Sequence, residues 1–408
     1  MNPPDRPAGP LAEPGAGPAL PTESFFAAVG DRLVRHALDA QGGMREIDRL
    51  AMPCGVQFAC LDRERGLLYV ACSNGGVGRP GDRHRLARVA VDGPMRLLEA
   101  PAALPYRPIH AALDPAGRRL LIAYNLPAAL TVHPLDEAGR VGECLGPFEG
   151  EELVGWFPHQ VLPMPGSDEV LLTCRGDDAT AVRAENPGSL RRLRIGPQGG
   201  ARPMQTVAPS GGFGFGPRNC AFHPAAPWLY AVLERQNALA VFFIRGGRIA
   251  AQPAHTVGML QRPDRIHRPQ LAGALALHPG GGFAYAVNRS HAVVQEGAHT
   301  VWAGGENSIV VFRLDTRTGE AAPVQCQPLQ GLHARCIALA HGGRLLVAAI
   351  RQASAQRTPE GIRHCPAGFS TFRIGQDGCL QPLGHHAVEV GAEQIFWAGC
   401  SEGLPCSV

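Results

Sequence analysis

Six stretches of this chain repeat one pattern, and that repetition limits the possible folds more than any other feature of the sequence. They cover residues 56–74, 109–125, 159–176, 218–235, 272–289 and 334–351, with starts 53, 50, 59, 54 and 62 residues apart. Each has a short apolar run, a turn carrying Pro, Gly or Asp, and a second apolar run. Asp114-Pro115-Ala116-Gly117, His223-Pro224-Ala225-Ala226 and His278-Pro279-Gly280-Gly281 are the clearest turns. Pro presets φ and Gly permits conformations closed to other residues, so each pair of runs reads as a hairpin. A third apolar strand follows, as in Leu130-Thr131-Val132-His133, Leu239-Ala240-Val241-Phe242 and Ile309-Val310-Val311-Phe312, and then a more polar fourth. Four antiparallel strands per unit, with scarcely any helical periodicity between them, predict the blades of a β-propeller.

The two ends of the chain set the number of blades. Residues 24–52 match only the later part of a unit, through Phe25-Phe26-Ala27-Ala28, Leu33-Val34-Arg35-His36 and a closing strand. Gln394-Ile395-Phe396-Trp397-Ala398 has the pattern of an innermost strand with no partners after it. Pairing the two completes a seventh blade and covers edges that would otherwise be exposed. The expected fold is therefore all-β: a seven-bladed propeller of four-stranded antiparallel blades over residues 24–408, closed by pairing N- and C-terminal strands in one blade. Residues 1–23 are rich in Pro, Gly and Ala, bury too little apolar surface to offset ordering, and are expected to be a disordered extension.

Composition removes several kinds of chemistry. All 38 basic residues are Arg and none is Lys, so a Schiff-base lysine, pyridoxal-phosphate attachment and a Walker-type phosphate lysine are excluded. The net charge of +3, without clustered Arg runs, argues against nucleic acid as a partner. No stretch approaches the roughly 18 apolar residues of a membrane helix, and no secretory leader is apparent. The 12 cysteines are scattered singly, without a CxxC pair, so reduced thiols in a cytoplasmic protein are expected. Gly211-Gly212-Phe213-Gly214-Phe215-Gly216 precedes a strand rather than a helix, which argues against a phosphate cradle. No metal-binding or Gly-x-Ser-x-Gly motif occurs, and neither metal nor cofactor is expected.

Candidate site residues follow from the register of the repeat. With the innermost strand of a blade called A and the next B, the start of A and the end of B share one rim. His159 and Arg218 stand at starts of A, with His110, Arg335 and Gln394 close by; Asn125, Arg175, Glu234, Arg289 and Arg351 stand at ends of B. Blades four, five and six are neighbours, so His159, Arg218, Glu234 and Arg289 should face one space beside the channel. Two guanidiniums with a carboxylate and an imidazole can hold an anion and move protons. His223 and His278 fall in turns at the other rim and are read as structural.

At these residues the sequence resembles the seven-bladed lactonase family, which includes propeller-type 6-phosphogluconolactonases and carboxy-cis,cis-muconate cyclases. The resemblance spans residues 24–398. It rests on Gly216-Pro217-Arg218 leading into Phe222-His223-Pro224, on Leu229-Tyr230-Ala231-Val232-Leu233-Glu234, on Phe283-Ala284-Tyr285-Ala286-Val287-Asn288-Arg289 and on Pro158-His159. It implies a monomeric lactone hydrolase acting on a small anionic sugar lactone such as 6-phosphogluconolactone. Arg218 and Arg289 would bind the substrate's anionic group, and His159 and Glu234 would transfer protons. A cycloisomerase acting on unsaturated dicarboxylates is the alternative that the cyclase branch implies, and a non-catalytic binding platform is a third. The chain departs from the family pattern at Asn219, where many relatives have a second His. It also has longer connections over residues 73–85, 290–307 and 352–370, which the register places on the active rim.

Overall fold

The computed structural model describes residues 22–76, 78–297 and 299–401. Seven antiparallel sheets form the seven blades. The A strands of blades two to seven are Val56–Asp62, Pro108–Leu113, Pro158–Pro163, Pro217–Phe222, Gln270–Leu277 and Leu332–Ala340. The corresponding B strands are Leu67–Ser73, Arg119–Asn125, Glu169–Cys174, Trp228–Leu233, Phe283–Ser290 and Leu345–Gln352. Blade one takes its A strand, Ile395–Cys400, from the carboxyl end, and this pairs with the B strand Thr22–Val29 through Phe25↔Cys400 and Ala27↔Ala398. The A strands of successive blades pack side by side in an unbroken ring.

One boundary differs from the sequence reading. Thr22 and Glu23, assigned there to the extension, pair with Asp39 and Leu38 in blade one. Glu23 is buried, and its carboxylate accepts the His341 amide at 2.6 Å. The strand runs past its apolar core because the partner strand Arg32–Asp39 runs equally far. The remainder of the predicted extension, residues 1–21, lies outside the described residues.

B strands such as Trp228–Leu233 are buried on both faces because each blade is sandwiched between two others, which explains their continuous apolar runs. Outer strands such as Met44–Ala51 are largely exposed and polar. Polar ties join one blade to the next. The phenols of Tyr69, Tyr230 and Tyr285 donate to the carbonyls of Gly139, Gly319 and Gly378 at 2.8, 3.2 and 3.1 Å. His223 and His278 make the same kind of tie, Nε2 to the carbonyls of Gly281 and Gly343 at 2.9 and 3.2 Å, while Nδ1 accepts turn amides.

The long connections of blades six and seven fold into an additional sheet, which the sequence reading does not contain. Val293–Glu296 pairs with His299–Trp302, Ser354–Thr358 pairs with Gly361–Cys365, and the two hairpins join in parallel at Val301↔Ala355. Eleven cysteines fall in the described residues, all free thiols.

Candidate functional site

Each A strand except that of blade six skips one residue near its start in its pairing with B. The skipped residues are Phe396, Gln57, Ile109, His159, Arg218 and Arg335 in blades one, two, three, four, five and seven. In blade six the interruption spans Gly273 and Ala274. A β-bulge re-aims the extra side chain out of the alternating pattern of the strand, and here it does so once per blade at the same level. His159, Arg218 and Arg335 thereby come to line a cavity of about 550 Å³.

A second layer of lining residues lies two positions earlier, at Arg107, Phe157, Leu271 and His333. A third lies at the B-strand ends, at Asn125, Arg175, Glu234, Arg289 and Arg351. Arg79, from the long connection of blade two, completes a set of seven arginines around a single carboxylate, Glu234. All four residues selected from the sequence line this cavity. Arg175 and Arg351, noted on the same rim, join them. Arg107, at the level of Phe157, Leu271 and His333, is not singled out by the sequence, and Arg79 lies in the 73–85 connection that the register places on this rim without naming the residue.

Glu234 is buried among three guanidiniums. Arg175 Nη1 donates to its Oε2 at 2.7 Å, Arg289 Nη2 donates to Oε1, and Arg218 Nε stands 3.0 Å from Oε1 as an ion pair without hydrogen-bond alignment. Burial alone would push the carboxyl up, but Arg289, Arg218 and Arg175 outweigh it and hold it down at about 2. Glu234 is therefore a fixed anion in the resting site and a weak base. One carboxylate shared by Arg175, Arg218 and Arg289 offsets a single one of their three charges, so the cluster stays net positive before any substrate arrives. Arg218 also donates from Nη1 to Asn219 Oδ1, so the residue at the departure from the family pattern braces the guanidinium.

His159 is buried with Nδ1 unpartnered. Burial, followed by the charges of Arg218, Arg335, Arg175 and Arg289, holds its pKa well below the ordinary value. The imidazole is neutral at physiological pH and can accept a proton.

The arginine hydrogen bonds also fix a tautomer. Arg289 Nη1 lies 3.2 Å from His333 Nε2, and a guanidinium only donates, so Nε2 is the acceptor. The His333 proton then sits on Nδ1, 3.3 Å from His291 Nδ1. His333 is held at φ 57° and Phe157, which lies under the Arg175 guanidinium at 4.2 Å, at φ 53°. Both stand two residues before a bulge, and backbone strain of this kind gathers at functional sites.

Among the described residues, no group of three or more His, Cys, Asp or Glu is placed to hold a metal ion.

Comparison with known proteins bears on the family and the fold. The family described as "Lactonase, 7-bladed beta-propeller" matches residues 30–358. A 6-phosphogluconolactonase of Pectobacterium atrosepticum is 28% identical over 356 residues, covering 87% of this chain and 91% of that protein. A 6-phosphogluconolactonase of Klebsiella pneumoniae is 24% identical over 363 residues, covering 87% and 92%. Among solved structures, a periplasmic gluconolactonase of Pseudomonas aeruginosa superposes with a TM-score of 0.69 at 19% identity, covering 90% of this chain and 97% of that one.

Proposed function

This chain belongs to the seven-bladed β-propeller lactonase family, and from that premise we propose that it hydrolyses an anionic sugar lactone. The name shared by its relatives makes 6-phosphogluconolactone the leading substrate. The observation that carries the proposal is a cavity with seven arginines, one ionised carboxylate and three histidines, of which His159 is buried with an unpartnered Nδ1. Such a site attracts a negatively charged substrate and offers the unpartnered Nδ1 of His159 as a proton acceptor beside it.

In the proposed reaction, water attacks the lactone carbonyl carbon while His159 takes its proton. In place of the anionic-group role that the resemblance implies for them, the forks of Arg218 and Arg289, held beside Glu234, bind the substrate at the carbonyl and stabilise the oxyanion that develops there. Collapse of the tetrahedral intermediate breaks the ring C–O bond, and the imidazolium of His159 protonates the departing alkoxide. The product acid then ionises and releases one proton to solvent. Glu234 keeps the guanidiniums aligned and limits their repulsion. Proton transfer is assigned to His159 because its Nδ1 is unpartnered, whereas both carboxylate oxygens of Glu234 are engaged by Arg175 and Arg289.

With the 6-phosphate lactone as substrate, the reaction belongs to carbohydrate metabolism in the pentose phosphate pathway. We place it in the cytoplasm on the support of the free thiols, and take the monomer as the acting unit. No helix among the described residues is long and apolar enough to cross a membrane.

The test is proton release in weak buffer on adding freshly generated 6-phosphogluconolactone, against its spontaneous hydrolysis and the His159→Gln variant. Release well above the blank, lost in the variant, with a product one water heavier, is expected. No excess release overturns the reading. A product of unchanged mass from a muconate-type substrate moves the chain to the cycloisomerases.

A further inference from the structure

Three of the seven cavity arginines are anchored through Nε alone, whereas Arg289 of the Glu234 cluster is held at Nε by the Ala272 carbonyl and at both terminal nitrogens as well. Arg107 donates from Nε to Gln57 Oε1 at 2.9 Å, Arg335 donates from Nε to the Phe396 carbonyl at 2.9 Å, and Arg351 donates from Nε to Gln394 Oε1. In each, a neutral acceptor occupies the inner nitrogen. Among the described residues, the terminal nitrogens of all three have no hydrogen-bond partner and the charges no carboxylate.

These groups are built into the fold. Arg335 is 5% exposed and Arg107 7%. The Arg335 guanidinium lies over the Phe396 ring at 3.7 Å from its centroid, and that of Arg107 lies 5.9 Å from the same centroid. Gln57, Phe396 and Arg335 occupy the repeat-equivalent bulges of blades two, one and seven, so one backbone device sets both the arginine and the groups that orient it. The wall they form spans blades seven, one, two and three, across the cavity mouth from the Glu234 cluster of blades four, five and six.

Burying like charges without a counter-ion is costly. Burial holds Arg107 down at about 10, and burial, followed by the repulsion of Arg289, Arg351 and Arg107, holds Arg335 down at about 9, against the opposing pull of Cys336. A ligand anion offsets that cost, and a dianion with several acceptor oxygens does so for more than one fork.

We infer that Arg107, Arg335 and Arg351 form an anion subsite that binds the phosphomonoester of a phosphorylated sugar lactone, separate from the Arg218 and Arg289 forks at the reacting carbonyl. The subsite rests on the lactonase reading for the identity of its substrate, whereas the binding of phosphate itself does not. It makes this wall the determinant of preference for phosphorylated over neutral lactones.

The experiment combines thermal shift and calorimetric titration with inorganic phosphate, and kinetics on 6-phosphogluconolactone and unphosphorylated gluconolactone. The proteins are the wild type, Arg335→Met, which keeps the packing on Phe396, and Arg107→Gln. Phosphate should bind the wild type and bind each variant at least tenfold more weakly. The ratio of kcat/KM for the phosphorylated lactone to that for gluconolactone should fall about tenfold or more in each variant, because the change in His159 basicity on losing the Arg335 charge acts on both lactones alike. Equal losses on both lactones, or phosphate binding unchanged in both variants, overturn the subsite. Protection by tricarballylate but not by phosphate also overturns it, because the wall would then select carboxylates. Phosphate binding lost in the variants of a protein with no lactonase activity supports the subsite and sinks the hydrolytic reading alone.

Discussion

Gly273 leaves the space that Arg289 fills: a Cβ at residue 273 would stand 3.3 Å from both Cδ and Nε of Arg289. Gly273 lies in the interrupted stretch of the blade-six A strand, where blades three, four, five and seven present a bulged side chain to the cavity. Blade six thus gives up its own bulge side chain so that the arginine from its B strand can lie there. Gly273→Ala should displace the Arg289 fork by a few tenths of an ångström and lower kcat/KM for the lactone by about tenfold, since small misplacements at a reacting centre are costly. Steady-state kinetics checks this, and unchanged kcat/KM would show that Arg289 tolerates the shift.

The pH dependence of the reaction separates the two candidate proton acceptors. The His159 pKa lies well below 6.5 and that of Glu234 near 2. If His159 is the base, kcat/KM stays level as pH falls from 7.5 through 6.5 and declines only below that, where the imidazole becomes protonated. Glu234→Gln leaves Arg175, Arg218 and Arg289 without their anion, so kcat should fall about a hundredfold or more. The added positive field should also move the acid limb to lower pH. A limb that vanishes in Glu234→Gln would return the base role to the carboxylate.

Much of this site was legible in the sequence, and the part that was not has a definite cause. His159, Arg218, Glu234 and Arg289 are recoverable because each occupies an equivalent place in successive repeats. The same register places Arg175 and Arg351 on the rim. Arg107 stands two residues before the blade-three bulge, level with Phe157, Leu271 and His333, but the residue type at that level changes from blade to blade, so no shared pattern marks it. The bulge at Phe396 adds one residue to a strand whose apolar pattern continues through it, so the ring reads as core packing and its contact with Arg335 stays hidden. The rim sheet was equally hidden, because it depends on a cross-blade pairing at Val301 and Ala355 rather than on local pattern. Glu23 escaped notice because polar Thr and Glu before an apolar run look like linker, although an opposite strand was there to pair with them.

Buried histidines make the fold sensitive to acid. His36 and His133 are held at about 4 and His110 at about 3, burial being the largest cause for each. Their folded values are lower than the unfolded 6.5, so the unfolded chain binds the extra protons as pH falls. Stability is complete above pH 6.5 and is lost progressively toward pH 4, by about 1.4 kcal/mol per pH unit for each such group. His133→Gln removes one of them and should make the fall in unfolding free energy between pH 6.5 and 4 shallower by about that slope. Denaturant melts across this range provide the check, and an identical slope in the variant would show that His133 is protonated in the folded state.

His333 combines a strained backbone with a contact to the catalytic cluster, and the two can be separated. Its φ of 57° lies in the left-handed region, which Asn tolerates better than other side chains. Its Nε2 accepts from Arg289 Nη1 at 3.2 Å, a reach the shorter Asn lacks. Its backbone amide donates to Asn307 Oδ1 at 2.9 Å, a bond that substitution of the side chain leaves in place. His333→Asn should therefore keep the melting temperature within a few degrees of the parent. It should release the Arg289 fork and lower kcat more than it raises KM, by about tenfold in kcat/KM. An active variant with a lowered melting temperature would assign His333 to stability instead, and full activity with full stability would show that Glu234 alone aligns Arg289.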